Sequence, residues 1–121
     1  MATVADLAER AVSRFGHHRY DVCCMQRALR LIKLLDLTDI DRSDFEEILV
    51  QLMNARATSR RREISGVQDG LDYRQRRMAV DAMICCVRVL LGESTKAEAE
   101  QILDRLEEEL FRKHAKEEAL R

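Results

Sequence analysis

Residues 78–91 read MAVDAMICCVRVLL, and this stretch decides the fold. Twelve of its fourteen side chains are apolar, although 36% of the whole chain is charged. On a helical projection of about 100° per residue, only Asp81 and Arg88 interrupt the apolar surface, and both share one narrow arc with Arg77. The pattern predicts a helix that is buried on nearly all sides. Such a helix needs several other helices, or the same helix of a second copy, packed around it.

The composition of the whole chain favours a single helical domain. Its 121 residues include four glycines, no proline and no tryptophan. A chain of this length buries about two thirds of its unfolded surface without needing disulfides or metals. We predict an all-α, compact bundle of about five helices over residues 1–121, with the apolar helix 78–91 at its centre and a homodimer as its assembly. Residues 113–121 are predicted to form a frayed C-terminal tail.

Capping patterns predict where several of these helices begin and end. A hydroxyl residue followed three positions later by an acidic residue is typical of a helix start. Gly16 and Gly92 are placed to end helices, and residues 65–70 form the one convincing loop in the middle of the sequence. The predicted starts are Thr3 with Asp6, Ser43 with Glu46, and Thr95 with Glu98.

Charge and hydropathy indicate a soluble, intracellular protein, cytoplasmic or nuclear. The formal net charge is -1, which excludes a uniformly basic protein of the kind that coats nucleic acids or membranes. No apolar run reaches the roughly 18 to 20 residues that span a bilayer. The first residues lack the basic flank and apolar block of a secretory signal. We therefore expect no membrane association.

Two adjacent cysteine pairs, Cys23–Cys24 and Cys85–Cys86, fall inside predicted helices. Neighbours on a helix point about 100° apart, so they cannot form an unstrained disulfide with each other. Together with His17 and His18 the thiols form a mixed set of nitrogen and sulfur donors, but the spacing matches no common zinc motif. We interpret the cysteines as small, buried, reduced thiols and predict no metal or other cofactor.

No pattern in the sequence indicates an enzyme. The chain has no glycine-rich phosphate loop, no nucleophile elbow and no metalloprotease HExxH motif. No set of acid and base groups is visibly assembled by spacing. We predict a protein that is not an enzyme and has no small-molecule substrate.

Arginine is the sharpest charge feature. Seventeen arginines accompany four lysines, and seven of the arginines lie within 22 residues around the central loop. Guanidinium groups bind phosphate in a bidentate manner, so this group suits a duplex RNA or DNA backbone. Alternatively it is a solvated helix end, where positive charge stabilises the last carbonyl groups. The seven residues, here called the arginine cluster, are Arg56, Arg60, Arg61, Arg62, Arg74, Arg76 and Arg77.

The predicted function is that of a regulatory or adaptor protein acting through protein–protein contacts as a homodimer. The helix over residues 78–91 is too apolar for an ordinary monomer surface, which favours self-association or a partner helix in a groove. Met83, Val87 and Leu90 are the candidate interface residues. Binding of a nucleic-acid phosphate backbone by the arginine cluster is the alternative.

Overall fold

The computed structural model describes residues 2–13, 23–35, 40–64 and 70–119. These residues contain no strand, so the prediction of an all-helical fold with five packed helices is confirmed. The predicted tail is helical as far as Ala119. The helices are α1 (Val4–Ser13), α2 (Cys23–Leu34), α3 (Arg42–Ile64), α4 (Gly70–Leu90) and α5 (Lys96–Ala119).

Helix α4 packs against each of the other four helices. Those four contact one another in the order α3, α2, α1 and α5, so they form a ring around α4. The ring is incomplete, because α3 and α5 share no contact within the described ranges. Among the described residues, one side of α4 is therefore left without a covering helix.

The core lies between α4 and the ring. Met83 and Val87 of α4 have no exposed surface, and neither do Leu52 of α3 and Leu103 of α5. Burial of each side chain of this kind contributes about 1.5–3 kcal/mol relative to leaving it in water. These residues hold α3 and α5 onto α4, although the backbones of α3 and α5 do not come close to each other in the described ranges.

Polar side chains cross the contacts between neighbouring helices of the ring. Arg27 of α2 donates a hydrogen bond to Gln51 of α3 at 3.2 Å. Lys33 of α2 lies 3.3 Å from the carboxylate of Glu9 on α1. Both contacts are exposed, so they contribute at most about 1 kcal/mol each and chiefly fix how the helices are aligned.

The contact between α1 and α5, here called the closed seam, carries the strongest polar link. Arg10 donates through Nε to Glu107 and through Nη2 to Asp104, both at 2.9 Å. The hydrogen bonds to Glu107 and Asp104 raise the pKa of the Arg10 guanidinium above its ordinary value. Two carboxylates on one guanidinium make a charge-assisted link that neutralises it fully.

The helix starts predicted at Thr3 and Thr95 are present. Thr3 Oγ1 accepts the backbone N–H of Asp6 at 3.1 Å, and the Asp6 carboxylate accepts the N–H of Thr3 at 3.0 Å. Thr95 Oγ1 accepts the N–H of Glu98 at 3.3 Å. Each bond satisfies an N–H group that has no partner inside its own helix.

Helix α4 ends in a Schellman motif at Gly92. The N–H of Glu93 bonds to the carbonyl of Arg88 at 2.8 Å, and the N–H of Gly92 bonds to that of Val89 at 3.1 Å. Gly92 has a φ of 78°, a left-handed conformation that glycine adopts without steric cost. Since α5 starts only a few residues later, α4 and α5 form an antiparallel hairpin.

Candidate interaction groove

The uncovered side of α4 is the floor of a groove whose walls are α3 and α5. Two cavities of about 520 Å³ each adjoin there and share Arg56, Arg77 and Asp81 as lining residues. The floor runs from Arg74 to Arg88, which is about 21 Å at the rise of an α-helix. We call it the arginine groove after the arginines that line it: Arg56, Arg60, Arg74, Arg77, Arg88 and Arg105.

Apolar side chains lie at the bottom of the arginine groove, between the charged ones. Met78 and Ile84 of α4 and Ile102 of α5 line it, and Ile84 is almost fully buried. Cys85 also faces the groove, where its Sγ lies 3.0 Å from Ser94 Oγ. An apolar floor inside a charged rim is the arrangement found at protein–protein contact sites.

Asp81 is the central carboxylate of the groove. Its Oδ1 lies 3.5 Å from Arg56 of α3, and its Oδ2 lies 3.3 Å from Arg77 of α4. Burial raises the pKa of Asp81, and the two guanidinium groups only partly offset that effect. Asp81 therefore neutralises charge from two helices at some cost in desolvation.

The other two carboxylates of the groove are also engaged. Glu109 lies 3.0 Å from Arg74, which links α5 to α4 at one end of the groove. Glu98 accepts a hydrogen bond from Ser94 Oγ at 2.9 Å and belongs to the cap of α5. Asp81 and Glu109 thus pair with arginines, whereas the hydroxyl groups bonded to Glu98 leave its charge in place.

Three arginines of the groove remain unpaired. Within the described part of the chain, the guanidinium groups of Arg60, Arg88 and Arg105 make no hydrogen bond or ion pair. With six arginines against three carboxylates, the groove carries an excess of positive charge. A guanidinium group offers five donors in a planar fork that matches a carboxylate or a phosphate.

The structure divides the arginine cluster predicted from sequence. Arg56, Arg60, Arg74 and Arg77 line the groove. The remaining three do not line it: Arg61 bonds to Thr58 Oγ1, Arg62 lies 5.6 Å from the ring centre of Tyr73, and Arg76 is half-buried.

Sequence reasoning did not assign a binding role to Arg88 or Arg105. A signal for Arg88 was present, because it shares a helical arc with Arg77 and Asp81, and all three line the groove. Arg105 sits on α5 among other charged residues, and nothing in its local sequence distinguishes it. Its place in the groove follows only from how α5 packs on α4.

The candidate interface residues lie mostly inside the bundle. Met83 and Val87 have no exposed surface, and Leu90 is half-buried. A second copy can reach Met83 or Val87 only if the helices of the first copy separate. In the described fold, these two side chains pack against the chain's own helices.

The described cysteine side chains are free thiols. Cys24 is half-buried, whereas Cys86 has no exposed surface. Burial, and to a smaller extent the neighbouring Cys85, raises the pKa of the Cys86 thiol to about 12. The described side chains contain no cluster of three metal-ligating groups. His17, His18 and the Cys23 side chain lie outside the described residues and side chains.

Comparison with known proteins supplies no relative for this arrangement. No protein-family model matches the chain, and searches of curated proteins and of solved structures gave no significant match. Among the helices in the described ranges, none combines the length and the apolarity needed to cross a bilayer.

Proposed function

We propose that this chain is a non-enzymatic interaction protein, with a regulatory or adaptor role, that binds a segment of a partner protein in the arginine groove. One observation carries the proposal: the side of α4 that no described helix covers combines apolar side chains with unpaired guanidinium groups. Apolar burial supplies affinity at such a site, and the charged rim selects the partner.

Binding of a nucleic-acid backbone is the competing function. The ion pairs of Arg56, Arg74 and Arg77 argue against it, because Asp81 and Glu109 already occupy these guanidinium groups. Phosphates entering the groove would also approach three carboxylates and an apolar floor that offers them no donor. A protein segment, which carries both apolar and charged side chains, suits this lining better.

A peptide-display selection on the purified chain tests the proposal. We expect enriched peptides whose binding shifts the backbone amide NMR signals of groove residues such as Arg88, Ile102 and Arg105, and leaves those around Arg10 in place. The control is a mobility-shift assay with duplex RNA and duplex DNA at low salt. Duplex binding without any enriched peptide would reject the proposal in favour of the nucleic-acid alternative, and peptides that map to the closed seam would reject the groove as the site.

A homodimer is the second part of the proposal, and its surface lies elsewhere than at Met83 and Val87. The exposed apolar side chains of Val50 on α3 and Phe111 on α5 are 59% and 74% accessible, so a second copy could cover them without opening the bundle. Sedimentation equilibrium at micromolar concentration should give twice the mass of one chain. A single-chain mass across that range would remove the dimer from the proposal.

A further inference from the structure

The gap in the ring of helices around α4 has the length of a short helix. The groove floor is about 21 Å long, and its walls are two helices that contact α4 but not each other. Helices pack at axial separations of about 8–10 Å by placing side-chain ridges into grooves, and the gap between α3 and α5 offers such a position. A sixth helix lying along α4 would complete the ring.

Backbone chemistry favours a helix over an extended peptide in this position. The walls and floor are helices whose backbone N–H and C=O groups are paired internally, so the groove presents no sheet edge for a strand to extend. An extended peptide would bury its own backbone groups against Met78, Ile84 and Ile102 without partners. A helix satisfies those groups within itself and presents only side chains to the apolar floor.

Charge specifies which helix fits. Arg60, Arg88 and Arg105 have no carboxylate partner, whereas Asp81 and Glu109 already have arginine partners. A helix with a basic face would meet like charges along both walls of the groove. A helix with carboxylates beside an apolar stripe would pair with the free guanidinium groups and bury the stripe.

The spacing of those carboxylates follows from the alignment of α4 and α5. The contact between Arg74 and Glu109 joins two long side chains at one end of the groove, and Cys85 Sγ contacts Ser94 Oγ at the other end. Together these contacts place Arg105, one turn before Glu109, level with residues 74–78 of α4. Arg88 lies ten to fourteen residues farther along α4, which is about 15–21 Å or three to four helical turns.

We propose that the arginine groove takes an acidic amphipathic helix of a partner protein, with carboxylates about three to four turns apart that pair with Arg88 and Arg105 and an apolar stripe between them that packs on Ile102. This inference rests on the proposed function and names the partner chemistry of the same site. As in other complexes of a helix in a groove, burial of the apolar stripe supplies affinity, and the charge pairs fix the position of the bound helix along the groove.

A synthetic helical peptide of about five turns, made in two versions with leucines on one face and two glutamates either three or four turns apart, is the probe. We expect the double variant Arg88→Glu/Arg105→Glu to bind it about tenfold more weakly than the natural chain, by fluorescence anisotropy. Replacing both glutamates of the peptide by lysine should reverse the preference, so that the variant binds more tightly than the natural chain. The matched control is Arg30→Glu/Arg112→Glu, which changes net charge equally outside the groove and should leave affinity within about twofold.

Three outcomes would overturn the inference. Equal binding of a peptide with glutamine in place of glutamate would show that the charges are not recognised. Equal binding of a peptide with the same composition but its glutamates on adjacent turns would reject the spacing. A loss of affinity in the control variant as large as in the groove variant would reduce the effect to overall charge. If display-selected peptides map to the groove while the acidic helix does not bind, only this inference fails and the proposed function stands.

Discussion

The two edges of α5 use arginine in different ways. At the closed seam, Arg10 reaches across from α1 and finds both Asp104 and Glu107 at 2.9 Å. At the arginine groove, Arg105 of α5 and Arg88 of α4 face an opening and have no carboxylate partner among the described residues. Arginine thus links two helices at the closed seam, where carboxylates face it. At the groove, guanidinium groups without such a partner stay available to bind another molecule.

The largest expected difference is in thiol reactivity, between Cys85 on the groove side of α4 and Cys86 on its interior side. Since the pKa of Cys86 is about 12 against an ordinary 9.0, its thiolate fraction at pH 8 is about a thousandfold lower than in an unfolded chain. We expect iodoacetamide to alkylate Cys86 of the folded protein at least about a thousandfold more slowly than in urea, as measured by tandem mass spectrometry. Cys85, at the groove, should react before Cys86, and its protection by a groove-binding peptide is the control. Faster reaction at Cys86 would contradict the assignment of the two faces.

The raised pKa of the Cys86 thiol also predicts that stability depends on pH. The folded state favours the neutral thiol, so the contribution of Cys86 is fully present below about pH 9 and is lost as pH rises toward about 12. Urea denaturation at a series of alkaline pH values should show this loss, and the Cys86→Ala variant should show less of it. An unchanged slope in that variant would assign the loss to other groups.

Arg10→Ala should weaken the closed seam of α5 and leave binding at the arginine groove unchanged. The change removes both bonds to Asp104 and Glu107, and we expect the free energy of unfolding to fall by about 1–2 kcal/mol. Binding of groove peptides at temperatures where the variant is folded should stay within about twofold. Arg112→Ala, which removes only an exposed contact with Glu108 on the same helix, should change stability by less than about 0.5 kcal/mol. A strong loss of peptide affinity in Arg10→Ala would mean that the closed seam shapes the groove.

Asp81→Asn should have a small effect on stability and a modest effect on binding. Burial already raises the pKa of this carboxyl, so removing its charge relieves a desolvation cost while releasing Arg56 and Arg77. The unfolding free energy should change by less than about 1 kcal/mol, and affinity for an acidic helical peptide should rise about two- to fivefold. Calorimetric titration measures the affinity, and weaker binding would show that Asp81 orients the arginines rather than competing for them.

Much of the fold was predictable because it follows from local patterns. The apolar run in α4 and the cap pairs at Thr3 and Thr95 correspond to real elements, since helix periodicity and capping act within a few residues. The predicted start at Ser43 is wrong. Helix α3 begins one residue earlier at Arg42, and the N–H of Asp44 bonds to the carbonyl of Asp41 instead.

The groove was not predictable, because it depends on the separation of α3 and α5, which no local sequence pattern determines. The spacing of arginines along the chain placed Arg61 and Arg62 in the same group as Arg56, although a helix turns them toward different sides. Arg105 joins the groove from another helix, so only the packing of α5 reveals it. Met83 and Val87 were assigned to an interface because apolarity alone does not say whether the covering helix belongs to the same chain.

The turn from α4 to α5 depends on the handedness of the residue at position 92. An added Cβ at this position would meet no heavy atom within 4 Å, so volume does not restrict it; only the φ of 78° does. Most L-amino acids resist that angle, whereas a D-amino acid prefers it. The turn between α4 and α5 therefore depends on a torsion that a mirror-image residue would lock, which would stiffen the hairpin without adding a single contact.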